Sequence, residues 1–382
     1  MAAVRGIAKL AFDGVTGVTG VVEGMHANIA KAPLPFGEGV RSGRTRGITG
    51  LVYTAIREIT HLVGEGADQL LAVMPEDGEA LSGSASQEAW RAAINGVVGD
   101  HLEASGNPLA LPMRFRPHGT QVPTPRLLVL AHGLCMNDLQ WQRNGHDHGE
   151  QLAADLGFTP LYLHYNSGRH VSTNGRAFAE LLEETTRHWP MPIEEFCILG
   201  HSLGGLIARS ACHYALEAKH AWPAKLKKIV FLGTPHHGSP LERHGNWFQA
   251  AFGITPYSAP LGNLGKLRSA GVTDLRHGNL LDEDWNHGDR FHEHGDTRRA
   301  VSMPDHVNCY AAAATLGRRR DDVKDRWLGD GLVPIDSALG VHRDPQRRFE
   351  IAQDRQRTYF EVSHWDLLDR AEVYAQIREW LQ

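Results

Sequence analysis

The chain has 382 residues, 42% of them hydrophobic and 22% charged, with a formal charge of −5. That length suits one large α/β unit carrying an appendage, and the composition excludes a disordered polymer. The two short basic clusters, Arg41–Arg46 and Arg318–Arg320, are diluted by acids or glycines, so charge speaks against nucleic acid as a partner.

Residues 1–75 differ from the rest. Val4, Ile7, Ala11, Val15, Val18, Val22, Met25 and Ile29 recur at spacings of three and four, and Ile48, Val52, Ala55, Ile59 and Leu62 repeat the rhythm. This periodicity predicts an N-terminal helical extension. Glycines at 14, 17, 20 and 24 weaken its first helix by about 1 kcal/mol each relative to alanine. Such a helix needs a surface to pack on: the catalytic domain, a second subunit, or a membrane or granule surface.

Residues 76–106 are expected to be a polar linker followed by a helix, with Ser86 capping about 87–104 before Gly106 and Pro108. From 107 to 382 the pattern alternates. Apolar runs at 127–131, 159–163, 196–199, 228–232 and 307–313 predict strands, with helices over about 148–156, 173–188, 203–219 and 370–381. That order predicts an α/β fold with a mostly parallel sheet covered by helices on both faces. Segment 235–303, rich in Gly, Pro, His and aromatics, breaks the alternation where a lid or cap insertion would sit. Inside it, His244–Gly265 lacks acids and Lys or Arg, but Pro256 and Pro260 prevent a membrane-spanning helix.

Cys135, Cys197, Cys212 and Cys309 stand far apart, without the spacing of a disulfide framework or a metal site. Asp13 interrupts the N-terminal apolar run before a secretory core develops. Both features predict a cytoplasmic protein. Two histidine-rich runs, His146-Asp147-His148 and His287…His294, carry zinc-type ligands, but neither offers an i, i+4 helical pair or a cysteine partner. A helix start explains the first and a solvated loop the second, so neither a metal nor a cofactor is expected.

Gly200-His201-Ser202-Leu203-Gly204 lies between the strand-like Phe-Cys-Ile-Leu and a helical stretch. In that strand–turn–helix context a G-x-S-x-G sequence presents its serine at a sharp turn, beside a helix N-terminus that favours negative charge. The pattern resembles the bacterial lipase/esterase branch of the α/β-hydrolases, and it is also similar to inositol-deacylase-like lipases. Besides Ser202, Ala131-His132-Gly133-Leu134, Gly233-Thr234-Pro235-His236-His237-Gly238 and Tyr165-Asn166-Ser167-Gly168…Asn174-Gly175 carry the likeness, which covers roughly residues 125–380.

The resemblance implies an α/β-hydrolase fold and the chain order serine, acid, histidine. Among 23 histidines, His364 follows the last strand-like run and precedes the final helix, where the family carries its base. Asp330, in Gly329-Asp330-Gly331-Leu332-Val333-Pro334, takes the place of the acid, ahead of its competitors Asp305, Asp321, Asp322 and Asp325. The oxyanion donors implied are the amides of Leu203 and Leu134, with Cys135 as the alternative to Leu134, and His132 would orient their loop. Asp366 sits where related lipases ligate a structural calcium; a helix cap is the other reading.

The expected function is a serine carboxylic-ester hydrolase acting through an acyl-enzyme on a small-molecule or lipid ester. Trp247, Phe248, Phe252, Ile254, Tyr257, Leu261 and Leu264 are lid candidates that suit a medium or long acyl chain. The alternatives are a polyester depolymerase or acyltransferase docking through the N-terminal helices, and a non-catalytic lipid-binding protein on a hydrolase fold. Oligomeric state is not legible in the sequence.

Overall fold

The computed structural model describes residues 85–116, 118, 122–239, 269–286, 296–319 and 329–382. The N-terminal extension, most of the linker, the lid candidates and the His287…His294 run lie outside the described residues. The elements below belong to one unit, Gly83–Glu103 with Ala110–Gln382.

In chain order they are α1 (Ala85–Ala104), β1 (Arg114–Arg116), β2 (Arg126–Ala131), α2 (His148–Leu156), β3 (Thr159–His164), α3 (Val171–Arg187), β4 (Glu195–His201), α4 (Leu203–Glu217), β5 (Leu226–Leu232), α5 (Ala270–Asp274), β6 (Asn308–Thr315), α6 (Ile335–Ala338), β7 (Gln356–Phe360) and α7 (Ala371–Leu381). Among the described residues the sheet has the order β1-β3-β2-β4-β5-β6-β7. Only β1 runs antiparallel.

The central strands read as unbroken apolar runs because both faces are covered. Leu127 to Ala131 of β2 and Phe196 to Leu199 of β4 are fully buried. One face supports a core of Leu128, Leu130, Trp141, Leu199, Val230 and Leu232 against Leu367, Val373 and Ile377 near the C-terminus. Each such side chain contributes about 1.5–3 kcal/mol on burial.

β2 has β3 on one side and β4 on the other. The chain therefore reverses its direction of winding at β2, and the loops leaving β2 and β4 open a crevice between them. Open α/β sheets bind ligands at such a point. Helices α3 and α4 close over the sheet in near contact, because a side chain at Gly175 would meet the Ser210 hydroxymethyl group.

The structure adds two features that periodicity did not predict. β1 is only three residues long, Arg-Phe-Arg, too short and too charged to show alternation. Helix α5 lies inside the expected lid segment, yet residues 270–274 are all buried. Asp274 there accepts hydrogen bonds from Val171 N and Asn279 Nδ2. The described flank of the insertion is therefore part of the body. No helix among the described residues is long and apolar enough to cross a membrane.

Candidate active site

Ser202 ends β4 and begins α4 with φ 54° and ψ −123°, a left-handed conformation that a side chain rarely adopts. Its neighbours make that turn feasible. A Cβ on Gly200 would lie 2.7 Å from Gly205 Cα, and one on Gly204 would overlap the carbonyl of Ala131. Only glycine lets strand and helix approach this closely. Ser202 N–H donates to Leu232 O at 2.8 Å, which ties the turn to the end of β5.

His364 arrives from the loop after β7. Its Nδ1–H donates to Asp330 Oδ2 at 2.6 Å, and both side chains are buried. The backbone repeats the link, with His364 N–H donating to Asp330 O at 3.0 Å. Asp330 Oδ1 is occupied by the amides of Leu332 and Val333. The carboxylate is thus fixed in direction, and it fixes the imidazole tautomer with the proton on Nδ1. His364 Nε2 is buried with no hydrogen-bond partner among the described residues. The ring packs on Gly233, where a Cβ would come within 2.9 Å of it. Gly233 directly follows Leu232, the acceptor of the Ser202 amide, so the imidazole and its carboxylate lie beside the strand end that holds the Ser202 turn. Of the competing acids, Asp305 is exposed, and Asp321, Asp322 and Asp325 lie outside the described residues.

The loop after β2 faces the same serine. A Cβ on Gly133 would lie 3.1 Å from Ser202 Cβ. The Cys135 amide is engaged, donating to Ser167 Oγ at 3.0 Å, whereas the Leu134 amide has no acceptor among the described residues. Leu203, at the first helical position, likewise has an amide with no intrahelical acceptor. Among the described residues the Leu134 and Leu203 amides thus remain available as donors.

His132 Nδ1–H donates to Gly133 O, its ring stacks on Tyr165 at 4.2 Å, and Tyr165 O–H donates to His132 O at 2.6 Å. Burial pushes the imidazole down to about 4, so it is neutral near pH 7. The segment containing Tyr165, Asn166 and Ser167 thus acts as a brace for the β2 loop. Asn166 is itself held, accepting at its backbone oxygen from Asn174 Nδ2 and donating from Nδ2 to Gly99 O.

The second histidine pair braces the acid. His237 N–H donates to Ser337 Oγ, Ser337 Oγ–H donates to Gly238 O, and Ser239 Oγ–H donates to Leu332 O. Asp366 serves the histidine loop directly, its Oδ2 accepting from Ser363 N at 2.9 Å.

His201 was passed over in the sequence. Its Nε2 lies 3.2 Å from His364 O and its ring 4.6 Å from the His364 ring. Burial holds it far below the ordinary histidine range, with the charge of neighbouring His364 adding to the effect. A neutral ring donating from Nε2 fits that geometry. No local signal marks this role, because the partner is 163 residues away.

Residues 128–308 match the family described as a PGAP1-like alpha/beta domain. The fold is that of an α/β-hydrolase. Solved structures similar to this chain include the mature lipase BlEst2 of Bacillus licheniformis, at 16% identity and a TM-score of 0.45, covering 71% of this chain and 98% of that one. EstA of Clostridium botulinum is similar at 12% identity and a TM-score of 0.40, covering 71% and 91%. A Pyrococcus furiosus esterase is similar at 13% and 0.41, covering 71% and 85%. No curated protein matches the chain by sequence.

Proposed function

We propose that the protein is a serine carboxylic-ester hydrolase, with Ser202 as nucleophile, His364 as base and Asp330 as its orienting acid. The observation that supports this reading is the 2.6 Å bond from His364 Nδ1 to Asp330, with Nε2 unpaired among the described residues and the ring packed on Gly233, next to the acceptor of the Ser202 amide. An imidazole oriented by a carboxylate at Nδ1 and unpaired at Nε2 has a lone pair available to take a hydroxyl proton.

In this mechanism Nε2 takes the Ser202 hydroxyl proton while Oγ bonds to the acyl carbon. The carbonyl electron pair moves onto its oxygen, which the Leu203 and Leu134 amides stabilise. Removing one such donor typically costs about 3 kcal/mol. Collapse expels the alcohol, which takes the proton from Nε2, and water repeats the sequence to release the acid. The apolar residues of the 240–268 segment support a medium or long acyl chain.

The test is labelling with a fluorophosphonate, followed by a p-nitrophenyl ester panel from short to long chains. Labelling at Ser202 with turnover supports the reading. A folded protein that neither labels nor hydrolyses any ester sinks it.

A further inference from the structure

We propose that His118, Asp147 and Glu150 form a binding site for a divalent zinc-type cation, away from Ser202. One ligand atom from each residue lies within 4.8 Å of the others. Asp147 is the pivotal group. It caps α2, and its Oδ1 accepts from Gly149 N, Glu150 N and Tyr162 O–H at 2.7, 3.1 and 2.7 Å. That fills one oxygen. The other, Oδ2, is buried in a side chain only 1% exposed and has no hydrogen-bond partner among the described residues. An ionised oxygen in that state is costly to leave uncompensated.

Across from it stands His118. Its Nε2 lies 3.3 Å from Asp138 Oδ2, and its Nδ1 lies 4.0 Å from Asp147 Oδ2. Asp138 is in turn fixed by His164 Nδ1 at 2.8 Å and by Arg116. With Nε2–H donating to Asp138, Nδ1 carries a lone pair that faces the unpaired carboxylate oxygen. Two acceptors then look at each other across a gap with no donor between them, and the Glu150 carboxylate closes a third side. Tyr162 stacks on the His118 ring at 3.7 Å and 13°, which holds its plane.

This is the arrangement that metal-ligating histidines use: one nitrogen toward the ion, the other donating to a carboxylate that fixes ring and tautomer. One imidazole and two carboxylates suit zinc or a similar borderline ion, with a fourth position left for water. The two ligand carboxylates balance a 2+ charge. The positive end of the α2 dipole opposes this, but the carboxylate cap on Oδ1 already offsets it. The run His146-Asp147-His148 does not supply the ligand set by itself. Instead His148 Nε2 is used on Leu367 O, and the partner of Asp147 comes from residue 118.

The site would tie His118 to α2 and, through Asp138, to the stretch following the candidate oxyanion loop. The experiment is calorimetric titration of the chelator-treated full chain with Zn2+ alone, and separately with Ca2+ alone, alongside metal content by mass spectrometry. Asp147→Asn keeps the Oδ1 cap but replaces the unpaired oxygen, and Glu150→Gln alters only an exposed group, so at least one variant remains folded. The expected result is one equivalent of Zn2+ that weakens by about tenfold or more in each folded variant. Absence of that equivalent would mean that a proton bridges His118 and Asp147, and would overturn the proposal. Unchanged affinity in both variants would place the ion on other histidines, and preference for Ca2+ would remove the imidazole from the site; either result overturns it too.

Discussion

The ring of His201 lies beneath the imidazole of His364, with Nε2 3.2 Å from the His364 carbonyl oxygen and the ring centroids 4.6 Å apart. The residue preceding the candidate nucleophile therefore holds the backbone of the candidate base. A net hydrogen bond of this kind contributes about 1 kcal/mol. His201→Phe keeps the packing and removes the bond. If the bond is fully expressed in the transition state, kcat falls about fivefold with KM little changed. Steady-state kinetics on a soluble ester checks this, and an unaltered kcat would show that the bond does not position His364.

Ser202→Ala removes the proposed nucleophile and is expected to lower kcat by roughly 10^4–10^6-fold, with the melting temperature kept or raised. Relief of the positive φ does not enter, since alanine retains a Cβ. Residual turnover near the wild-type value would assign the chemistry elsewhere.

Asp330→Asn is expected to cost about 10^4-fold in kcat. The amide oxygen would still accept from Leu332 and Val333 N–H, but Nδ2 would present a donor to His364 Nδ1 and so favour the tautomer with its proton on Nε2. NMR of the imidazole nitrogens would report the exchanged tautomer, separating this cause from general unfolding. A variant with full activity would remove Asp330 from the mechanism.

Tyr165→Phe deletes the bond to His132 O while leaving the stacked ring. The β2 loop should loosen, with an expected loss of about 1 kcal/mol in stability and a several-fold lower kcat. Denaturant unfolding and ester kinetics on the same preparation measure both. Equal loss in KM and none in kcat would argue that the brace does not reach the Leu134 amide.

Stability should decline in mild acid. Burial lowers both His132 and His237 to about 4, against about 6.5 for a free histidine. Between those values the unfolded chain binds more protons than the folded one, so stability rises with pH. It is complete above about pH 6.5 and is lost progressively as pH falls toward 4. Urea midpoints at pH 7.5, 6 and 5 test the sign, and His237→Gln should flatten the slope. A midpoint that rises on acidification would contradict it.

The chemistry-bearing turns were legible locally. The sharp bend at Ser202 needs glycine on either side, and the parallel strands need continuous apolar runs, so both leave a mark within a few residues. The strands and major helices accordingly fall within a few residues of their expected bounds, from Arg126–Ala131 to Ala371–Leu381. Asp330 and His364 were chosen by their place after particular strands, guided by resemblance, and the parallel sheet brings those strand ends to one edge.

What only the tertiary structure decided are the pairings between distant residues. The Cys135 amide is taken up by a serine hydroxyl 32 residues further along the chain. His201 gained its part from a carbonyl near the other end of the chain, and Asp147 faced an imidazole contributed from outside its own run. Local pattern records which backbone a residue needs, because steric and hydrophobic demands act over a few neighbours. Which buried donor meets which acceptor depends on chain crossings that no short window contains.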